Sequence, residues 1–166
     1  MSEVDDAAPA TRILFVCLGN ICRSPTAEAV MRGLVAEQGL TAEFEIESAG
    51  TGDWHVGHPP DEHATTAAAE RGMRLDGTAR QVAVADFERY DLLVAMDRSN
   101  RDQLLRLAPD GPARERVRLL SEFGDGAEPD VPDPYYDGVD GFEQVLDIVE
   151  RSCAALLEEA RLGRIG

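Results

Sequence analysis

Apolar positions along this chain fall into two alternating kinds of run. The first kind is short and continuous: Arg12–Cys17 (RILFVC), Phe44–Ser48, Tyr90–Met96 (YDLLVAM) and Val117–Leu120 have the length and character of strands covered on both faces. The second kind is longer and helical: Pro25 to about Gln38, the alanine-rich Pro60–Arg71, Ser99–Leu107, and Phe142–Arg161. On the last of these Phe142, Val145, Leu146, Val149, Cys153, Leu156 and Leu157 share one face. Proline stands in the first turn of the first helix, and Gly39 and Gly72 follow the ends of the first two. Strand and helix alternate from end to end without an internal repeat. The pattern predicts an α/β fold, a single doubly wound domain with a central, mostly parallel four-stranded sheet flanked by helices.

The 166 residues, 43% of them hydrophobic, suit one core, placed over residues 12–162, and no stretch of twenty apolar residues is present to insert in a membrane. The opening segment MSEVDDAAPAT carries acids where a secretory signal needs a basic start, so residues 1–11 are read as a disordered tail on a cytoplasmic protein. Export without a cleaved signal stays open. Cys17, Cys22 and Cys153 are too few for a disulfide scaffold and form no C-x2-C pair for zinc, which leaves reactive or buried thiols. A net charge of −16 argues against a grip on nucleic acid or anionic lipid. It also means that a site for an anion must create its own positive potential from arginine, backbone amides and a helix terminus.

The segment Cys17–Pro25 (CLGNICRSP) has those means. It lies where a buried strand gives way to a helix, the edge at which open parallel sheets place ligands. A loop of five residues, Leu18, Gly19, Asn20, Ile21 and Cys22, between Cys17 and Arg23 can curl its N–H groups inward as a nest for a tetrahedral oxyanion, with the helix adding its positive end. Gly19 and Asn20 suit the positive-φ positions of such a turn. Arg23 can donate two parallel hydrogen bonds to phosphate oxygens and favour the thiolate of Cys17, the nucleophilic form. Ser24 is placed to hydrogen-bond the sulfur and help it leave. No G-K-[ST] closes the turn, which excludes a nucleotide-binding P-loop. Far downstream, the loop Ser121–Gly141 is rich in Gly, Pro and Asp. Within it Asp133 is fixed between Pro132 and Pro134, a position suited to a general acid.

VCLGNICRSP followed by DPYY resembles the low-molecular-weight protein tyrosine phosphatase family, with SAGT (Ser48–Thr51), PPD (Pro59–Asp61) and MDRSN (Met96–Asn100) as further matches over roughly Arg12 to Leu162. The resemblance implies a cofactor-free hydrolase of phosphotyrosine acting through a cysteinyl phosphate. Cys17 is then the nucleophile, Arg23 the phosphate ligand, and Asp133 the acid toward the tyrosine and the base toward water. It also implies tyrosine-phosphorylated proteins as partners and inorganic phosphate or other oxyanions as inhibitors. Tyr135, with Tyr136 beside it, and Trp54 would wall the cleft, Ser48 and Asn20 would hold the loop in shape by hydrogen bonds, and Cys22 would protect an oxidised Cys17 as a disulfide. His55, His58 and His63 lack ligand spacing and are read as solvated loop residues, with no metal site.

Three other readings are compatible with parts of the pattern. Arsenate reductases of one class share the loop, but they need relay cysteines, and none lies between Cys22 and Cys153. A protein arginine phosphatase carries threonine where this chain has the apolar Ile21. A silent phosphate-binding module would not need the full set of Cys17, Arg23 and Asp133.

Overall fold

The computed structural model describes residues 10–124, 129–134 and 138–165. Strand β1 (Thr11–Cys17) is its axis. Ile13, Leu14, Phe15 and Val16 are wholly buried because both faces of the strand are covered. Ile13, Phe15 and Cys17 face one hydrophobic cluster and Leu14 and Val16 the other, the period-two division expected of a central parallel strand. The strand begins at Thr11, one residue inside the segment read as a tail.

Helix α1 (Arg23–Glu37) returns the chain to β2 (Phe44–Gly50), and after α2 (Glu62–Glu70) and the single turn α3 (Asp86–Arg89) comes β3 (Leu92–Ala95). Helices α4 (Arg98–Leu107) and α5 (Gly111–Glu115) lead to β4 (Val117–Leu119), and α6 (Gly138–Arg161) closes the chain. All four strands are parallel in the order β2-β1-β3-β4. Helices α1, α2 and α6 contribute to the first cluster, and α3, α4 and α5 to the second. The seven residues expected on one face of the last helix are all buried. Among the described residues no helix is long and apolar enough to cross a membrane.

Several boundaries differ from those expected. Helix α1 starts at Arg23 rather than Pro25, so the cationic residue belongs to its first turn. The third strand is Leu92–Ala95 rather than Tyr90–Met96: at the end of α3 the Tyr90 N–H donates to the Asp86 carbonyl (3.0 Å) instead of joining the ladder, and its hydroxyl donates to Glu47 Oε1 (2.6 Å). The helix after PPD begins at Glu62, since Asp61 caps it by accepting from the N–H groups of His63 and Ala64 (2.9 and 3.1 Å). Gly39 (φ +70°) and Gly72 (φ +79°) do end their helices in the left-handed region.

The strand order places the site. From β1 the chain moves outward to β2 on one side, then crosses to β3 on the other, so the order reverses at β1. The crevice of a doubly wound sheet lies at the carboxyl end of such a switch point, where Cys17 stands.

Candidate active site

The turn after β1 is built by tying its carbonyls outward. Cys17 and Leu18 carbonyls accept from the N–H groups of Thr51 and Gly52 (both 2.9 Å), and Ile21 accepts from Asp61 N–H (2.8 Å). The Cys22 carbonyl takes both the N–H and the hydroxyl of Thr26 (3.2 and 2.7 Å). Among the described residues the N–H groups of Leu18, Gly19, Ile21, Cys22, Arg23 and Ser24 have no protein acceptor, while Asn20 N–H points at Cys17 Sγ (3.3 Å). Donors gathered this way around a sulfur at a helix start can receive the oxygens of a tetrahedral anion.

Asn20 holds the turn from behind. It is the residue with positive φ (+58°), and its side chain donates to Ser24 Oγ (2.9 Å) and Ser48 Oγ (3.0 Å) while accepting from Arg80 N–H (3.0 Å). Ser24 Oγ lies 3.0 Å from Cys17 Sγ. Ser48 gives its one proton to Glu28 Oε1 (2.5 Å), leaving its lone pairs to Asn20. Burial pushes the Glu28 carboxyl up, and the bond from Ser48 and the cation of Arg32 offset part of that push. Gly19 is not in the left-handed region. A Cβ there would sit 2.9 Å from His55 Cδ2, so a larger residue would have to displace that ring.

Arg23 is 4% exposed. Its Nη1 donates to Asp97 Oδ2 (2.7 Å) and to the Val131 carbonyl (3.0 Å), and its Nη2 lies 3.8 Å from Asp133 Oδ2. Burial alone would weaken its hold on the proton, but Cys17, Asp97 and Asp133 outweigh that and keep it firmly cationic. Asp97 also begins a helix, because its other oxygen accepts Asn100 N–H (2.7 Å) and caps α4.

These groups line a cavity of about 350 Å³. The loop and Cys17 form its floor with Arg23, Ile21 and Cys22 beside them, Trp54 and His55 stand on one side, and Asp133 stands at the mouth. Trp54 is 68% exposed, with its ring over Gly52. The Cys22 thiol is pushed up first by burial, then by the charges of Asp61, Cys17 and Asp133. The structure therefore collects at one cavity the expected Cys17, Leu18, Gly19, Ile21, Cys22, Arg23, Trp54 and Asp133, with Asn20, Ser24 and Ser48 bracing the floor. Tyr135 and Tyr136 lie outside the described residues. Sequence reasoning misses His55, Asp97, Glu28 and the Val131 carbonyl. Only Asp97 has a local signal, an Asp directly before a helical run. His55 is not the solvated loop residue expected, since it packs against Gly19 and lines the cavity.

A sequence model of the family described as low molecular weight phosphotyrosine protein phosphatase matches residues 12–164. The low molecular weight protein-tyrosine-phosphatase of Streptomyces coelicolor is 46% identical over 153 residues, covering 90% of this chain and 93% of the relative. A protein tyrosine phosphatase from Entamoeba histolytica, solved with Hepes in its active site, superposes with a TM-score of 0.90 at 37% identity over 93% of this chain and 99% of that one. YfkJ from Bacillus subtilis superposes with a TM-score of 0.88 at 38% identity, covering 95% and 98%.

Proposed function

The chain belongs to the low molecular weight phosphotyrosine protein phosphatase family, and from that premise we propose that it hydrolyses phosphotyrosine on proteins in two steps through a phosphorylated Cys17. The observation that carries the reading is the buried Arg23, fixed by Asp97 and Val131 at the floor of a cavity that has Cys17 at its base and Asp133 at its mouth.

In the first step the Cys17 thiolate attacks phosphorus in line while Arg23 and the loop N–H groups hold the three equatorial oxygens. The P–O bond to the ring breaks, and Asp133 gives its proton to the departing phenolate oxygen. Asp133 is half exposed at the rim, so both the leaving oxygen and the incoming water can reach it. In the second step Asp133 takes a proton from water, the water oxygen bonds to phosphorus, and Cys17 leaves as thiolate, stabilised by Ser24 and the Asn20 N–H. The apolar Ile21 and Trp54 that line the cavity favour an aryl ester, and oxyanions should compete for the same donors. After oxidation of Cys17 by peroxide to a sulfenic acid, the neighbouring Cys22 thiol can condense with it to a disulfide, releasing water.

The test is hydrolysis of p-nitrophenyl phosphate and of phosphotyrosine, phosphoserine and phosphoarginine peptides in EDTA. Turnover is expected with the aryl esters and abolished by Cys17→Ser, and Asp133→Ala should slow it about 10²- to 10⁴-fold for the phosphotyrosine peptides, whose leaving group needs a proton, and far less for p-nitrophenyl phosphate. Preference for phosphoarginine would overturn the substrate assignment, and a folded wild type without turnover would leave a binding module. In the same assay, recovery by dithiothreitol after peroxide treatment should be lost in Cys22→Ser; unchanged recovery would remove its protective role.

A further inference from the structure

The segment that carries Asp133 is held to the rest of the fold by several bonds upstream of the acid. Pro132 and Pro134 flank the acid and bring no N–H groups of their own. The anchors lie just upstream. Val131 N–H donates to the Met96 carbonyl (2.8 Å), and the Val131 carbonyl accepts from Arg23 (3.0 Å). Asp130 reaches the first turn of α4, where its Oδ1 accepts the backbone N–H of Arg98 (2.9 Å) and Nε of the same residue (3.2 Å), and its Oδ2 accepts Nη2 (3.2 Å). This is a two-pronged carboxylate–guanidinium pair with a third bond at a helix N-terminus, a geometry that fixes orientation as well as distance.

Resting on the reading of Asp133 as proton donor, we infer that Arg98 and Asp130 form a clasp that positions Asp133 for the leaving oxygen. Only Val131 and Pro132 separate the clasp from the acid. Proline restricts its own φ and also the residue before it, so the direction set at Asp130 and Val131 is transmitted rather than lost. The same helix start serves the other half of the reaction. Asp97, its cap, holds Arg23, and Arg98, its first residue, holds the acid segment, so donor and phosphate ligand are referenced to one rigid element. An isolated pair exposed to this degree (58% for Arg98, 40% for Asp130) adds little to stability, which makes geometry the effect to look for.

The experiment is kcat/KM for phenyl phosphate, whose leaving group needs a proton, and p-nitrophenyl phosphate, whose leaving group barely does, in Arg98→Ala and Asp130→Asn, each alone and combined with Asp133→Ala. Asp130→Asn retains an acceptor for the Arg98 N–H and guards against a failure of Arg98→Ala to fold. Each single variant is expected to lose about three- to tenfold with phenyl phosphate and less than about twofold with p-nitrophenyl phosphate, with inhibition by inorganic phosphate unchanged. On the Asp133→Ala background the same substitutions should cost nothing further. Equal losses with both esters, a loss that persists without Asp133, or no loss would overturn the clasp. Should Asp133→Ala itself fail to widen the gap between the two esters, the assignment of the acid falls first. A widened gap there with a neutral Arg98→Ala and a neutral Asp130→Asn would remove the clasp alone.

Discussion

Asp97 gives one oxygen to Arg23 and the other to Asn100 N–H, so one carboxylate orients the proposed phosphate ligand and starts α4. The two roles can be separated. Asp97→Asn keeps a capping oxygen but removes the charge beside Arg23, and should lower kcat/KM about tenfold with the thermal midpoint nearly unchanged. Asp97→Ala should lose both, with about 1 kcal/mol of stability going with the cap. Steady-state kinetics alongside thermal unfolding check this, and equal kinetic behaviour of Asn and wild type would show that the charge is dispensable. Residues of this kind explain the limits of the sequence. Cys17, Arg23 and Asn20 are legible because they sit within one turn whose chemistry is local. Asp97 stands 74 positions from Arg23 and Val131 stands 108 from it, and neither separation leaves a mark in periodicity or composition. Gly19 suggests a backbone freedom that it does not use, because the neighbour that crowds it, His55, arrives from another loop.

At the scale of elements the carboxyl ends of β1 and β2 form one unit. Cys17 pairs with Gly50, and a Cβ on Gly50 would meet the Leu18 carbonyl at 2.8 Å and the Asn20 N and Cβ at 3.2 Å. Those contacts are backbone or near it and have little room to yield. Gly50→Ala should therefore shift the phosphate loop, cost about 1–3 kcal/mol, and reduce phosphate affinity together with kcat. Denaturant unfolding and phosphate inhibition measure the two effects, and a stable variant with normal inhibition would show that the loop adapts. The long elements are readable from apolar pattern and helix stops. The short helices α3 and α5 are not, since four or five residues offer no period and are held by caps and neighbours, as by Asp110 accepting Ala113 N–H (2.9 Å). Part of the loop expected over Ser121–Gly141 is regular: a 3-10 turn covers Leu120–Glu122 and α6 begins at Gly138, too close to Gly and Asp for propensity to reveal it.

Over the whole molecule, 32 acids face 16 Lys and Arg, while the site depends on one buried guanidinium and a ring of amides. On the proposed reading local donors bind the phosphate, and the wider field acts on whatever flanks it. Phosphotyrosine peptides of matched sequence should be cleaved with higher kcat/KM when flanked by Lys than by Glu, and the ratio should shrink as salt rises toward a Debye length of about 3 Å at 1 M. A ratio of one across the salt series would show that the field does not reach the substrate. The doubly wound fold can be expected from alternation, but the order β2-β1-β3-β4 cannot, because periodicity does not say on which side a crossover lands. That order also sets a sequence in time. Cys17 leaves the ribosome early, whereas the groups that shape its surroundings follow much later: Thr51, Gly52 and Asp61 for the loop carbonyls, Arg80 for Asn20, and Asp97 and Val131 for Arg23. Parallel pairing adds only non-local contacts, the slow kind to assemble. On the proposed mechanism a growing chain thus carries Cys17 as an uncradled thiol until residue 131 has been made and folded back, and its reactivity should arrive only late in synthesis.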